Sequence, residues 1–341
     1  MNHQITRSIF AISLLLFSPA LVVAQTNRPD KALVKTPLAH TYSIVARDPE
    51  TGQLGVAVQS NWFSVGAIVP WAEAGVGAVA TQSFVEPAYG PLGLALMRAG
   101  KSAPDALKSL LAGDAQAGVR QVAMIDAQGR VATHTGEHCI AAAGHRAGTS
   151  FSAQANLMLK DTVWDAMAKA FENTKGELVD RLMAALEAAQ AEGGDIRGKQ
   201  SAAIVVVSGK PTGRSWADRL FDLRVEDHPE PVVELKRLVK LQRAYNHMNA
   251  GDEFFGKGEV ASALSEYAAA ERLVPENIEM VFWHAVTLVN AKRVEESLPL
   301  FKRVFAADRN WATLTPRLPK SKLLPDDPKI IQQILSVAPG R

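Results

Sequence analysis

Residues 245–278 and 279–312 align with each other at a spacing of 34 residues, and a self-similar unit of that length constrains the C-terminal third of the chain to paired helices that stack on their neighbours. In the first copy, Gly251, Phe254, Ala263, Tyr267, Ala270 and Pro275 fill the small, aromatic and helix-ending positions of such a unit. The second copy keeps Ala285, Leu288, Ser297 and Phe301 at the same offsets and has Arg309 where the first has Pro275. Two such units rarely bury a continuous core by themselves. The helical pattern over 232–245 and the tail around 330–335 are therefore expected to cap them.

A chain of 341 residues suits two domains. The acidic, proline-bearing stretch 226–231 marks their boundary. Upstream of it, residues 41–46 and 54–59 read as strands around the turn formers Asp48, Pro49 and Gly52; residues 76–81 read as a third strand. Residues 121–126 and 130–135 read as a hairpin, and the apolar run 202–207 as a buried strand with 216–225 beside it. Helical periodicity covers 91–99, 103–111, 163–171 and 178–191, the last closed by Gly193 and Gly194. Strands and helices thus come in groups. A doubly wound parallel sheet needs them to alternate singly, so the pattern predicts an α+β domain in which a pair of antiparallel sheets is covered by helices, followed by a small all-α repeat domain.

The N-terminus has the form of an export signal: Arg7, an apolar run over 9–17, then Val22, Val23 and Ala24 ahead of Gln25. That run falls short of the roughly 20 apolar residues of a membrane helix. The expectation is a signal peptide over 1–24, a periplasmic or secreted product with no membrane span after cleavage, and a flexible lead-in over 25–40 carrying Pro29 and Pro37. Lys and Arg number 37 against 35 Asp and Glu, so no positive surplus exists for a phosphate backbone and nucleic acid is excluded as a partner. The single cysteine, Cys139, cannot form an internal disulfide and reads as a small buried apolar residue.

The sequence has no glycine-rich nucleotide loop, no GxSxG elbow and no HExxH. His134, His138 and His145 lack the spacing of a metal site, and neither metal nor cofactor is expected. Thr41 stands out by position, because it opens the first strand behind a removable segment. A hydroxyl there can act as a nucleophile with its own α-amine as base, once the peptide bond before it is cut. That amine titrates near ~7.7 to 8.0 and needs no histidine partner. Threonine also simply favours strands, so the residue type by itself leaves both readings open.

Four ordered strings carry a resemblance: HTYSIVARDPETGQLGVAVQSNWFSVGAIVPWAEAGVGAVATQSF from His40, HTGEHCIAAAGHRAG from His134, SAQANLM from Ser152 and GGDIRGKQSAAIVVV from Gly193. Over residues 40–226 the chain resembles the DUF1028 family, which is placed in the N-terminal-nucleophile hydrolase superfamily. Residues 227–245 resemble the start of a peptidoglycan-binding domain that often follows it, and the helices beyond are similar to tetratricopeptide repeats. The resemblance implies a four-layer αββα sandwich over 41–226 with Thr41 as nucleophile, and a helical domain over 227–341. Since signal cleavage leaves Gln25 at the terminus, activity requires a second cut between His40 and Thr41.

Polar groups at the ends of other elements are expected to converge on Thr41. Asn156 is the candidate oxyanion donor. Asp195 and Arg197 are a pair that can orient the amine or bind a carboxylate. Gln59, Ser60, Asn61, Thr81, Gln82, Ser83, Gln200 and Ser201 are the candidate substrate contacts. Two functions follow: an exported amidohydrolase cutting a C–N bond of a small amide or peptide, or a non-catalytic envelope protein with a hydrolase-like scaffold. In both, the helical domain binds cell-wall peptidoglycan or a protein, and an oligomer is compatible with either.

Overall fold

The structure, a computed structural model, describes residues 38–340, with only the backbone of Leu38. The expected signal peptide and residues 25–37 of the lead-in lie outside the described residues. Eleven strands and ten α-helices follow: β1 (Leu38–Ala39), β2 (Thr41–Arg47), β3 (Leu54–Ser60), β4 (Pro70–Glu73), β5 (Gly77–Phe84), α1 (Tyr89–Arg98), α2 (Ala103–Gly113), β6 (Arg120–Asp126) and β7 (Val131–Thr135). Then come β8 (Gly144–Gly148), β9 (Phe151–Ala155), α3 (Val163–Asn173), α4 (Leu178–Ala191), β10 (Ser201–Val207) and β11 (Arg219–Val225). The C-terminal part consists of α5 (Pro231–Gly256), α6 (Val260–Leu273), α7 (Ile278–Asn290), α8 (Val294–Ala307), α9 (Asn310–Leu314) and α10 (Pro328–Ser336).

The strands form two antiparallel sheets, one in the order β11-β10-β3-β2-β9-β8 and the other in the order β1-β5-β6-β7 with β4 also on β5. Side chains alternate across each strand. Val45, Val56, Val58, Ala78, Ala80, Ala123 and Val205 fill the space between the sheets. On the outer face of the six-stranded sheet, Tyr42, Ile44, Ala57, Ile204 and Val206 pack against Met167, Phe171, Leu182 and Leu186 of α3 and α4. Gly55 lets α4 come this close, since a Cβ there would stand 2.7 Å from Leu182 Cδ1. On the other sheet, Val79, Val122 and Met124 pack against Leu94, Met97 and Leu107 of α1 and α2.

Two elements depart from the sequence reading. The lead-in does not run free up to residue 40: Leu38 and Ala39 pair with Phe84 and Ser83 of β5, and Ala39 and His40 are buried. The hairpin of β8 and β9 was not expected, because Gly144, Ala147 and Gly148 have little strand propensity. Its place is set by tertiary pairing, with β9 laid along β2 from Phe151 to Ala155.

The helical repeat has the expected pairing, with α5 on α6 and α7 on α8. Gly251 allows Tyr267 to lie against α5, as a Cβ at that position would meet the ring at 2.9 Å. Phe301 takes the equivalent place against Ala285 in the second unit, inside a core closed by Leu318, Leu324 and Ile334. The segment 232–245, expected as a separate cap, is instead the first half of α5, continuous with the first repeat helix. Its residues Val232, Leu235 and Val239 belong to the core of the six-stranded sheet, whereas Ala244 and Met248 belong to the first repeat. Along α5 the packing thus passes from the sheet's core to the core of the C-terminal helices between Val239 and Ala244.

Candidate functional site

The chain crosses from one sheet to the other at the His40–Thr41 bond: β1 lies in the smaller sheet and β2 in the larger one. Thr41 faces the space between the sheets and is fully buried. Its Oγ1 donates to Ala39 O at 2.6 Å. The residues around it close a polar seam at this end of an otherwise apolar interface. Gln82 Nε2 and the Asn156 backbone N–H both donate to Thr41 O, each at 3.1 Å. Gln121 Oε1 accepts from Gln82 Nε2 at 2.7 Å and from Asn156 Nδ2 at 2.9 Å. Ser43 Oγ donates to Gln82 Oε1 and accepts from Gln154 Nε2, both at 2.6 Å. Buried polar side chains are tolerated only when they are bonded in this way, and such networks hold their members in one arrangement.

The carbonyl of His40 is the focus of the site. Ser60 Oγ donates to it at 2.6 Å and Arg197 Nη2 at 2.8 Å. The guanidinium is held by Asp195, whose Oδ2 accepts from Arg197 Nη2 at 2.8 Å and whose Oδ1 accepts from Nε at 3.1 Å. Asp195 is itself fixed by the backbone N–H groups of Asn61 and Arg197, at 3.1 and 2.9 Å. A hydroxyl and a planar cation thus converge on one peptide oxygen, immediately before a threonine hydroxyl. Such donors lower the energy of negative charge on that oxygen more than that of the neutral carbonyl.

The imidazole of His40 donates from Nδ1 to Asn156 Oδ1 at 2.7 Å and stands edge-on to Phe84, with ring centroids 5.7 Å apart. Its buried Nε2 has no partner. Burial holds the ring below the ordinary imidazole value of 6.5, with Arg197 adding to the shift and the Asn156 bond opposing it. Between the lowered and the ordinary value, the unfolded chain takes up a proton that the folded chain refuses. The stabilisation from a neutral His40 is thus complete above about 6.5 and is lost as the pH falls below it. In an uncut Thr41→Ala background, His40→Gln is expected to flatten the loss of unfolding free energy as the pH falls below about 6.5. Urea titrations above and below that pH measure it.

Of the candidate residues, the structure brings Ser60, Gln82, Asn156, Asp195 and Arg197 to the His40–Thr41 junction. Asn61 stands beside them, its side chain donating to Arg197 O at 3.2 Å. The others are directed elsewhere. Gln59 lies on the opposite face of β3 from Ser60, buried with its amide unpartnered. Thr81 Oγ1 donates to Glu86 O at 3.1 Å, and Gln200 Nε2 donates to Asp227 Oδ1 at 3.2 Å. Ser201 Oγ donates to Trp62 O and accepts from Val65 N–H, tying down the loop after β3. Ser83 is buried and pairs with Ala39, in a left-handed backbone conformation with φ 73°. Asn156 is a positioning residue rather than a donor to the His40 carbonyl, because its Nδ2 is committed to Gln121 and Thr41. His40, Gln121, Ser43 and Gln154 complete the site and were not among the candidates.

The remaining candidates for chemistry sit apart. His134 Nε2 donates to Ala117 O at 2.8 Å, His145 Nδ1 bonds Thr135 Oγ1 at 2.9 Å, and His138 is exposed. Among the described residues no group of three or more His, Cys, Asp or Glu side chains is arranged to hold a metal ion. Cys139 Sγ donates to Arg120 O at 3.4 Å, and burial pushes its thiol up, away from the reactive thiolate.

A family model described as a family of unknown function, DUF1028, matches residues 41–235, more than half of the chain. The chain belongs to the DUF1028 family. Among solved structures, it is similar to a Silicibacter pomeroyi protein whose crystal structure is described under the same family, with 30% identity and a TM-score of 0.54. The similarity covers 59% of this chain and 85% of that one. No curated protein matches the sequence. The DUF1028 match begins at Thr41 and ends inside α5 at Leu235, one of the residues that anchor this helix in the six-stranded sheet's core.

Proposed function

We propose that this DUF1028 protein is the precursor of an N-terminal-nucleophile amidohydrolase, exported by its N-terminal segment and activated by cleavage between His40 and Thr41. The observation that carries the reading is the His40 carbonyl, held by Ser60 Oγ and Arg197 Nη2 directly before the Thr41 hydroxyl. Two antiparallel sheets with helices on their outer faces are the architecture expected of that superfamily, and Thr41 opens a strand of the sheet pair as its nucleophiles do.

The cleavage balances without a cofactor. Thr41 Oγ adds to the His40 carbonyl carbon, the developing oxyanion resting on Ser60 and Arg197, while the hydroxyl proton passes to the amide nitrogen. The C–N bond breaks, which leaves His40 as an ester on Thr41 Oγ and frees the Thr41 amine. Water then hydrolyses the ester, releasing a carboxylate at His40 and restoring the hydroxyl. From that point the amine is the general base for attack on an external amide.

Removing one donor to such an oxyanion costs about 10²–10³ in rate. Ser60→Ala and Arg197→Gln are therefore each expected to slow conversion of the purified chain by that order, read as intact mass against time. Wild-type protein whose mass never drops to that of a chain beginning at Thr41 would refute the precursor reading and favour a non-catalytic scaffold. In this proposal the helical repeats are an accessory binding unit for an envelope polymer or protein. Co-sedimentation of the full chain with purified peptidoglycan tests that part, and a chain left wholly in the supernatant rules out the polymer.

A further inference from the structure

We infer that the cut site takes an extended peptide on the acyl side of the amide it hydrolyses, bound along the edge of β5; this rests on the reading of Thr41 as nucleophile. One edge of β5 is shared by two strands. β4 covers it from Gly77 to Ala80, and β1 covers Ser83 and Phe84. β1 consists of two residues, and its companions are three features that together describe an acyl-side ligand. Its backbone pairs in register on a sheet edge. The next side chain, His40, is enclosed by Asn156 and Phe84. The carbonyl that follows lies between two donors beside a nucleophile.

Cleavage between His40 and Thr41 removes the covalent link that holds this segment in place. When the segment leaves, the β5 edge at Ser83 and Phe84, the Asn156 amide oxygen and Ser60 Oγ lose these partners, and the Arg197 guanidinium keeps only its bonds to Asp195. The vacated groove then presents a free strand edge, an acceptor and two donors in fixed positions, and it favours a ligand that restores the same bonds. An extended peptide does so, because strand addition to a free edge supplies main-chain bonds while alternate side chains enter pockets. Ala39 is fully buried, which restricts the penultimate residue to a small side chain. The His40 socket selects a flat residue that can donate to Asn156 Oδ1. In turnover Thr41 Oγ adds to the peptide's carbonyl carbon, the amine taking its proton. The C–N bond breaks as that proton passes to the leaving amine, and water splits the resulting ester.

The test uses the chain beginning at Thr41, made by its own cleavage or by removal of an initiator methionine placed before Thr41. Three coumarin amides are compared: acetyl-Pro-Leu-Ala-His, the same peptide with N-methyl groups on Leu and Ala, and acetyl-His alone. Binding of a fluorescent Pro-Leu-Ala-His peptide is read in parallel by polarisation. The expected result is a kcat/KM at least about tenfold higher for the first amide, since N-methylation removes backbone bonds that stabilise by about 1 kcal/mol each. Equal rates for the three would overturn the peptide site and leave the nucleophile standing. Binding that N-methylation abolishes, without hydrolysis of any amide, would support the peptide site and reject Thr41 as nucleophile. Neither binding nor hydrolysis would overturn the inference outright.

Discussion

Thr41→Ala is expected to yield a folded chain that retains His40 and everything joined to it, with no detectable amide hydrolysis. The alanine keeps the Cβ, and the lost Oγ1 bond to Ala39 O is a single local contact. Folding should survive, because such a bond contributes about 1 kcal/mol. Chemistry should not, since the other hydroxyls at the junction are committed, Ser60 Oγ to the His40 carbonyl and Ser43 Oγ to Gln82 Oε1. Loss of a nucleophile lowers turnover by roughly 10⁴-fold or more. Thr41→Ser should retain cleavage, because the same amine activates its hydroxyl. Intact mass together with amide turnover reads both variants, and an alanine variant that still processes at this bond would show that a separate protease makes the cut.

The second large effect concerns where the first domain ends. A chain stopped at residue 226, where the proline-bearing stretch begins, is expected to be insoluble or unfolded, whereas one stopped at residue 241 should fold. The reason is α5. Val232, Leu235 and Val239 are buried against Phe221, Val225 and the outer face of the six-stranded sheet. Fully burying a side chain of this kind stabilises by roughly 1.5–3 kcal/mol. Losing three approaches the total of about 5–15 kcal/mol that holds a domain together. Thermal unfolding of the two truncations distinguishes them, and equal melting temperatures would mean that α5 only rests on the first domain.

The strand and helix grouping, the pairing of the C-terminal helices and the place of Thr41 at the head of a strand were legible in the sequence because each is a pattern in chain order. Which polar residues face the site was only half legible. Consecutive residues of a strand point to opposite faces, so the runs 59–61 and 81–83 could not serve one site as whole triplets. Ser60 and Gln82 share the inward phase with Val58 and Ala80, while Gln59, Thr81 and Ser83 lie on the other phase. Gln121 was missed for a related reason. It reads as the polar start of an apolar strand, although its phase, shared with Ala123 and Ile125, places it between the sheets. A polar side chain on an inward phase is costly unless bonded, and that was the available signal. His40 escaped because a lead-in with two prolines reads as solvent-exposed, and only pairing with β5, far along the chain, buries it.

An unbroken α5 also carries a mechanical consequence. From Val239, rooted in the sheet's core, to Gly256, at the end of the first repeat helix, the chain advances about 1.5 Å per residue along one helix, or roughly 25 Å in all. No proline interrupts that span and no loop offers a hinge within it. On the proposed function, whatever the repeats bind is thereby joined, without an intervening loop, to the part of the chain that carries Arg197 and Asp195. In that proposal the helix acts as a spacer bar, and lengthening or breaking it would change where a partner anchored on the repeats is carried.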